Sequence, residues 1–184
     1  QDDTLFKKAD GSYVFNGECG IACTPKPRNA YLFNAGGQLT ALQDTNGNQT
    51  SIAYNALSRI GQVTDANARS LNFSYGVNGR VATVFDFSTP PRVWNYAYDA
   101  ADNLTSVTDP DNNVIQYQYD LAHNLTGIVD ALGNPVANVN YDSIDKARGF
   151  SDNGGNYAIN YDPVTKVTSK TNPADGLFTF KYDD

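Results

Sequence analysis

Apolar and polar positions alternate along this chain in short bursts. Val114-Ile-Gln-Tyr-Gln-Tyr119 is one such burst, and Gly155-Asn-Tyr-Ala-Ile-Asn-Tyr161 is another. Side chains two apart share one face of a strand, so a period of two predicts β-structure with one apolar face. Between the bursts lie clusters such as Asp109-Pro-Asp-Asn-Asn113 and Asp120-Leu-Ala-His-Asn124. Asp and Asn bond their own backbone and Pro fixes φ, so these clusters predict turns. No long segment carries an apolar period of 3.6, and little or no helix is expected.

The bursts recur at a fixed interval. Tyrosines stand at 31, 54, 75, 98, 119, 141, 161 and 182, with successive differences of 23, 21, 23, 21, 22, 20 and 21. Such a period marks one supersecondary unit stacked many times. Tyr98–Gln118 shows its anatomy: turn, strand Leu104–Thr108, turn, strand Val114–Tyr119. Two strands and two turns in about twenty residues make a β-hairpin per repeat.

The second strand is the more regular. Two residues before each phase tyrosine stands an apolar or aromatic partner: Ile52/Tyr54, Phe73/Tyr75, Tyr96/Tyr98, Tyr117/Tyr119, Val139/Tyr141, Ile159/Tyr161 and Phe180/Tyr182. Stacked hairpins should align these into two columns on one face, held by cross-strand contacts. In the first strand, Leu104 and Val107 are three apart and cannot share a face of a regular strand. Either both faces are partly apolar or a bulge intervenes.

Composition narrows the function. Nineteen of the twenty acidic residues are Asp, and Met is absent, which disfavours helix. The net charge is −7, with Lys and Arg scattered, so no basic stripe suggests nucleic acid. No apolar run reaches the length of a membrane-spanning helix. Residues 4–15 read as a hairpin around Asp10-Gly11. Residues 16–30 hold Cys19, Cys23 and two prolines and read as a loop. The organisation expected is therefore a hairpin and loop over 1–30, then about seven repeats of 20–23 residues over 31–184. The chain opens on Gln1 and stops just after Tyr182-Asp183 begins another unit, so a piece of a longer protein is expected.

The repeat units YDAADNLTSVTDPDNN, YDLAHNLTGIVDALGN, YDSIDKARGFSDNGGN and YDPVTKVTSKTNPADG resemble the YD repeats of Rhs proteins. The likeness runs over about 31–184 in seven units in register. Asn55 and Gly76 stand where the Asp is expected, Asp102 and Asn112 where Gly is common, and Pro90-Pro91 interrupts the unit at 75–97. The resemblance implies an all-β fold of consecutive antiparallel hairpins, a curved, spiralling sheet that is part of a hollow shell. In Rhs-type polymorphic toxins and insecticidal toxin complexes such a shell encloses a toxic domain, and in teneurins a similar barrel serves cell-surface adhesion. The resemblance thus implies a structural, non-enzymatic, bacterial segment, secreted or at the cell surface. Its partners would be the rest of its own chain, an enclosed toxin domain, and a secretion apparatus or receptor. The alternative is an adhesion or carbohydrate-binding module. The self-cleaving segment that closes an Rhs core is not recognisable, since Asp162-Pro163 lacks its context and Gly176-Leu177 sits inside an ordinary repeat.

Candidate chemistry is thin. The phase aspartates Asp99, Asp120, Asp142, Asp162 and Asp183 follow a strand and precede a turn, which favours capping of the turn over catalysis. Asp44-Thr-Asn-Gly-Asn48 and Asp109–Asn113 have the spacing that opens a calcium loop but lack the later Gly and Glu, so turn chemistry is preferred. Cys19 and Cys23 fit a small disulfide loop or two free thiols, and zinc would need further ligands. His123 and Trp94 read as a turn residue and a packing residue. No cofactor and no metal are expected. An array of hairpins exposes a strand edge, so the isolated chain is expected to self-associate edge to edge.

Overall fold

The computed structural model describes residues 4–16, 29–152, 155–162, 164–172 and 176–181. It is all-β. Among the described residues there are seventeen strands and no helix. Cys19 and Cys23, and Tyr182 and Asp183, lie outside the described residues.

The chain divides into two compact units, residues 1–93 and 94–184. The first holds β1 (Thr4–Lys7), β2 (Tyr13–Asn16), β3 (Ala30–Phe33), β4 (Leu39–Gln43), β5 (Gln49–Tyr54), β6 (Ile60–Thr64), β7 (Ser70–Tyr75) and β8 (Val81–Asp86). β9 (Val93–Tyr98) begins at the boundary. The second unit continues with β10 (Leu104–Thr108), β11 (Val114–Tyr119), β12 (Leu125–Val129), β13 (Pro135–Tyr141), β14 (Ala147–Asp152), β15 (Gly155–Asp162), β16 (Val167–Asn172) and β17 (Gly176–Lys181). Within each unit every strand pairs antiparallel with its neighbour in sequence.

The alternation read from the sequence is visible strand by strand. In β5, Thr50, Ile52 and Tyr54 are half-buried, while Gln49, Ser51 and Ala53 are exposed. In β11, Tyr117 and Tyr119 are half-buried between exposed Gln116 and Gln118. In β15, Tyr157, Ile159 and Tyr161 alternate with exposed Asn156, Ala158 and Asn160. Each unit thus has an aromatic-aliphatic face and a face of uncharged Asn, Gln, Ser and Ala.

A bulge accounts for the three-residue spacing in the first strand. Leu104 lies opposite Tyr98, Ser106 opposite Ala97 and Val107 opposite Tyr96, with a register shift between Leu104 and Ser106. The extra residue brings Leu104 and Val107 onto the tyrosine face, which a regular strand would not allow. The same shift recurs opposite Phe33, Tyr54, Tyr75, Tyr119 and Tyr141. The pairing of β15 with β16 is regular, with Tyr161 opposite Thr168 and Asp162 opposite Val167.

Burial stops at one layer. Among the described residues only Ala41, at 2% exposure, Asp86, at 5%, and the two strand glycines Gly127 and Gly149 are buried. Each unit is therefore a sheet whose apolar face is only half covered by its own side chains.

Candidate functional site

The repeat turn is the most developed chemical feature, and it is built from one carboxylate. In the Asp99 turn, Asp99 N–H donates to the Asn103 carbonyl at 3.0 Å, and Asp102 N–H donates back to the Asp99 carbonyl at 3.1 Å. Asp99 Oδ1 accepts from the amides of Ala101 and Asn103, both at 2.9 Å. Its Oδ2 accepts from Asn103 Nδ2 at 2.9 Å. Asp120 repeats the pattern with Ala122 and Asn124. Asp142 accepts from Ile144 and Lys146 N–H, and Asp162 from Val164 and Thr165 N–H.

The opposite end of each hairpin uses the same device, which the sequence reading treated only as a turn cluster. Asp44, Asp65, Asp109 and Asp130 each accept two backbone amides, two and four residues on. Asn55, standing where Asp is expected, does likewise with Leu57 and Arg59 N–H. Gly76 has no side chain, and there Asn78 Oδ1 takes the Arg80 amide at 3.1 Å. Asp102 and Asn112, at positions where Gly is common, have φ of 64° and 65°, and His123 has 67°. Asp, Asn and His tolerate this left-handed conformation better than most residues.

These bonds stabilise the ionised carboxylates. The Asn103 side chain, then its amide, holds Asp99 below the usual carboxylate range. The Asn124 amide does so first for Asp120, and the Lys146 amide for Asp142. Asp86 lies furthest below, chiefly through the Ser88 hydroxyl and then the Arg92 amide.

The phase tyrosines join adjacent strands. Tyr54 Oη donates to the Leu39 carbonyl at 2.8 Å, Tyr75 Oη to Ile60 at 2.7 Å and Tyr141 Oη to Leu125 at 2.9 Å. Each acceptor is the residue that opens a bulge, where the ladder is disrupted and a carbonyl needs a partner. Burial pushes the Tyr119 phenol up. Cations cover two rings at equivalent places, Arg59 over Tyr75 at 5.3 Å and Lys146 over Tyr161 at 5.2 Å. Replacing Tyr54, Tyr75 or Tyr141 by Phe is expected to cost about 0.5–1.5 kcal/mol each, one net hydrogen bond. Urea unfolding of the three single variants checks this, and unchanged midpoints would refute the tie.

None of this gathers a reactive site. His123 Nδ1 lies 2.8 Å from Asn103 Oδ1 on a neighbouring turn. Trp94 is half-buried in β9. The calcium-like Asp44 and Asp109 carboxylates are occupied by amides and by Asn48 and Asn113 Nδ2. Among the described residues, no three His, Cys, Asp or Glu are grouped to hold a metal, and no helix is long and apolar enough to cross a membrane. Sequence reasoning missed Arg69 and Arg92. Each replaces the Asn that normally answers the turn aspartate, and that substitution was the available signal.

The geometry defines a class: a tandem β-hairpin repeat protein with a one-layer antiparallel sheet. The profile of the RHS repeat matches residues 94–135. A mutant Tc holotoxin pore from Photorhabdus luminescens is similar in structure, with a TM-score of 0.57 and 16% identity over 91% of this chain and 11% of that one. A TcdB2-TccC3 structure is similar at a TM-score of 0.56 and 14% identity, over 92% of this chain and 11% of that one. The chain therefore spans about a tenth of the structures it matches. Comparison with curated protein sequences finds no match. Residues 94–135 thus match the RHS repeat, and the chain shares the fold of the matching part of these Tc toxin structures.

Proposed function

We propose that this chain is a wall segment of an Rhs-type shell that encloses a toxic effector domain outside the chain and helps to deliver it. The observation that carries the reading is the half-covered aromatic face of each unit: among the described residues no large apolar side chain is buried. A self-contained domain seals such a face, whereas a wall leaves it for what it surrounds. The RHS repeat at 94–135 and the fold likeness to Tc toxin structures support it. The wall is structural rather than enzymatic. The partners proposed are the rest of the same chain, the enclosed domain, and a secretion apparatus or receptor. The localisation proposed is bacterial, secreted or at the cell surface.

Limited proteolysis of the full-length gene product tests this. A domain beyond the repeats should resist protease while the wall is intact and become sensitive when the wall is opened by mild denaturant. A domain cleaved equally fast in both conditions would overturn the reading. The isolated chain should associate with rising concentration in sedimentation, because an unpaired strand edge recruits other strands. Strictly monomeric behaviour would refute that self-association.

A further inference from the structure

We infer that the tyrosine-end rim of the first unit docks on the tyrosine-end rim of the second unit in another copy of this chain. The contact uses turn tips, so it differs from edge-to-edge pairing of strands and does not depend on what the wall encloses.

Within a unit the turns that follow odd-numbered strands lie on one rim, because successive strands run antiparallel. In the first unit these are the turns at 8–12, 34–38, 55–59 and 76–80, and in the second those at 99–103, 120–124, 142–146 and 162–166. Five of their tips carry a large aliphatic side chain that the turn bonds do not use. Val77 and Leu121 are fully exposed, and Leu57, Ile144 and Val164 are 70%, 67% and 88% exposed. Isolated exposed aliphatics are ordinary, but these recur at one phase of the repeat. In the turns of the opposite rim only Leu132 and Phe87 stand out among the described residues. Turns on one rim are two strands apart, roughly 9.5 Å. A second copy presents its tips at the same pitch, which an unrelated surface has no reason to match.

Charge decides which rims meet. Residues 1–93 hold eight basic and seven acidic residues, whereas residues 94–184 hold five and thirteen. The rims share this contrast. In the first unit Asn34, Asn55 and Gly76 stand at the place of the phase aspartate, and Lys8, Arg59 and Arg80 outnumber Asp10 by two. In the second unit six rim aspartates outnumber Lys146 and Lys166 by four. Arg59 lies over the Tyr75 ring at 5.3 Å and, among the described residues, meets no carboxylate, so its charge is not cancelled within its own turn. Like rims repel and unlike rims attract. The contact is therefore heterologous, and copies add head to tail. Each copy carries a net charge of −7, yet at about 0.1 M salt charges more than about 10 Å apart are largely screened, so the facing rims dominate.

The test is sedimentation of the whole chain over a concentration series at about 0.1 M salt, with two variants. Leu57→Glu with Arg59→Glu removes a tip and the positive charge from the first rim. Leu121→Lys, Ile144→Lys and Val164→Lys together remove the tips and most of the negative charge from the second. Each variant alone should associate about tenfold or more weakly than the native chain, through lost apolar contact and opposed charge. Mixing the two variants in equal amounts should restore association, because one keeps the second rim intact and the other the first. Amide shift mapping of the native chain on dilution gives a readout free of any variant, with changes expected at 55–59, 76–80, 120–124 and 142–146. Equal association of all samples, with no gain on mixing, would overturn rim docking and leave edge pairing as the contact. Shifts confined to the terminal strands β1 and β17 would do the same. A native chain that stays monomeric throughout would overturn both.

Discussion

Stability should hold steady from about pH 7 to pH 5 and then fall steeply below about pH 4, where carboxylates ordinarily titrate. Ten aspartates, at 10, 44, 65, 86, 99, 109, 120, 130, 142 and 162, sit below their usual value in the folded chain. Each is held there mainly by turn hydrogen bonds to its ionised form. In the unfolded chain those bonds are absent and the groups take up protons first. The unfolded state then binds more protons than the folded one, so lowering the pH favours unfolding. The contribution is fully present above the unfolded value and is lost as pH falls through the depressed folded values. Ten similar groups act together, so the loss should be large although all of these carboxylates but Asp86 lie in turns near solvent. Urea midpoints at pH 7, 5, 4 and 3 provide the measurement. Midpoints unchanged down to pH 3 would show that the turn bonds contribute no net stability.

Gly149→Val should destabilise the second unit by about 1–3 kcal/mol, the usual cost of overpacking. Gly149 is buried in β14 beside the bulge. A Cβ there would stand 2.7 Å from the Tyr157 carbonyl oxygen and 3.0 Å from Asn140 Oδ1. The first obstacle is backbone of the neighbouring strand, which moves only if the β14–β15 pairing shifts. Gly127 is the equivalent position one repeat earlier, opposite Gln118. There the nearest atom is Gln118 Oε1 at 2.7 Å, the mobile end of a side chain. Gly127→Ala should therefore cost clearly less than Gly149→Ala. Urea unfolding of the two Ala variants and Gly149→Val decides the matter, and equal losses for the Ala pair would show that the neighbouring backbone does not constrain Gly149.

The strands and their aromatic face were legible because both rest on local signals. Ile52/Tyr54 and Tyr117/Tyr119 advertise a face by spacing alone, and Asp-x-x-x-Asn clusters advertise turns. The bulge was half legible: Leu104 and Val107 showed that something interrupts the strand. The choice between a bulge and a two-sided strand depends on how Leu104 meets Tyr98 across the ladder, which no single strand encodes. The tyrosine bonds to Leu39, Ile60 and Leu125 follow from that bulge and were hidden with it. The ion pairs of Arg69 with Asp65 and of Arg92 with Asp86 were missed for another reason. Arg69 and Arg92 stand in a list of scattered charges, and only the folded turn sets each guanidinium against its aspartate.

Pairing within each unit is confined to strands that follow one another along the chain. No strand waits for a distant one, so little loop-closure entropy has to be overcome before a contact forms. Such a sheet can grow by accretion, each new hairpin docking on the last as it leaves a ribosome or emerges from a narrow conduit. The hazard of such growth is slippage, because neighbouring repeats offer nearly the same surface. A slip of one residue would turn the aromatic column outward and strand every bulge against the wrong tyrosine. The bulges thus act as teeth on a ratchet, admitting each hairpin at one setting only.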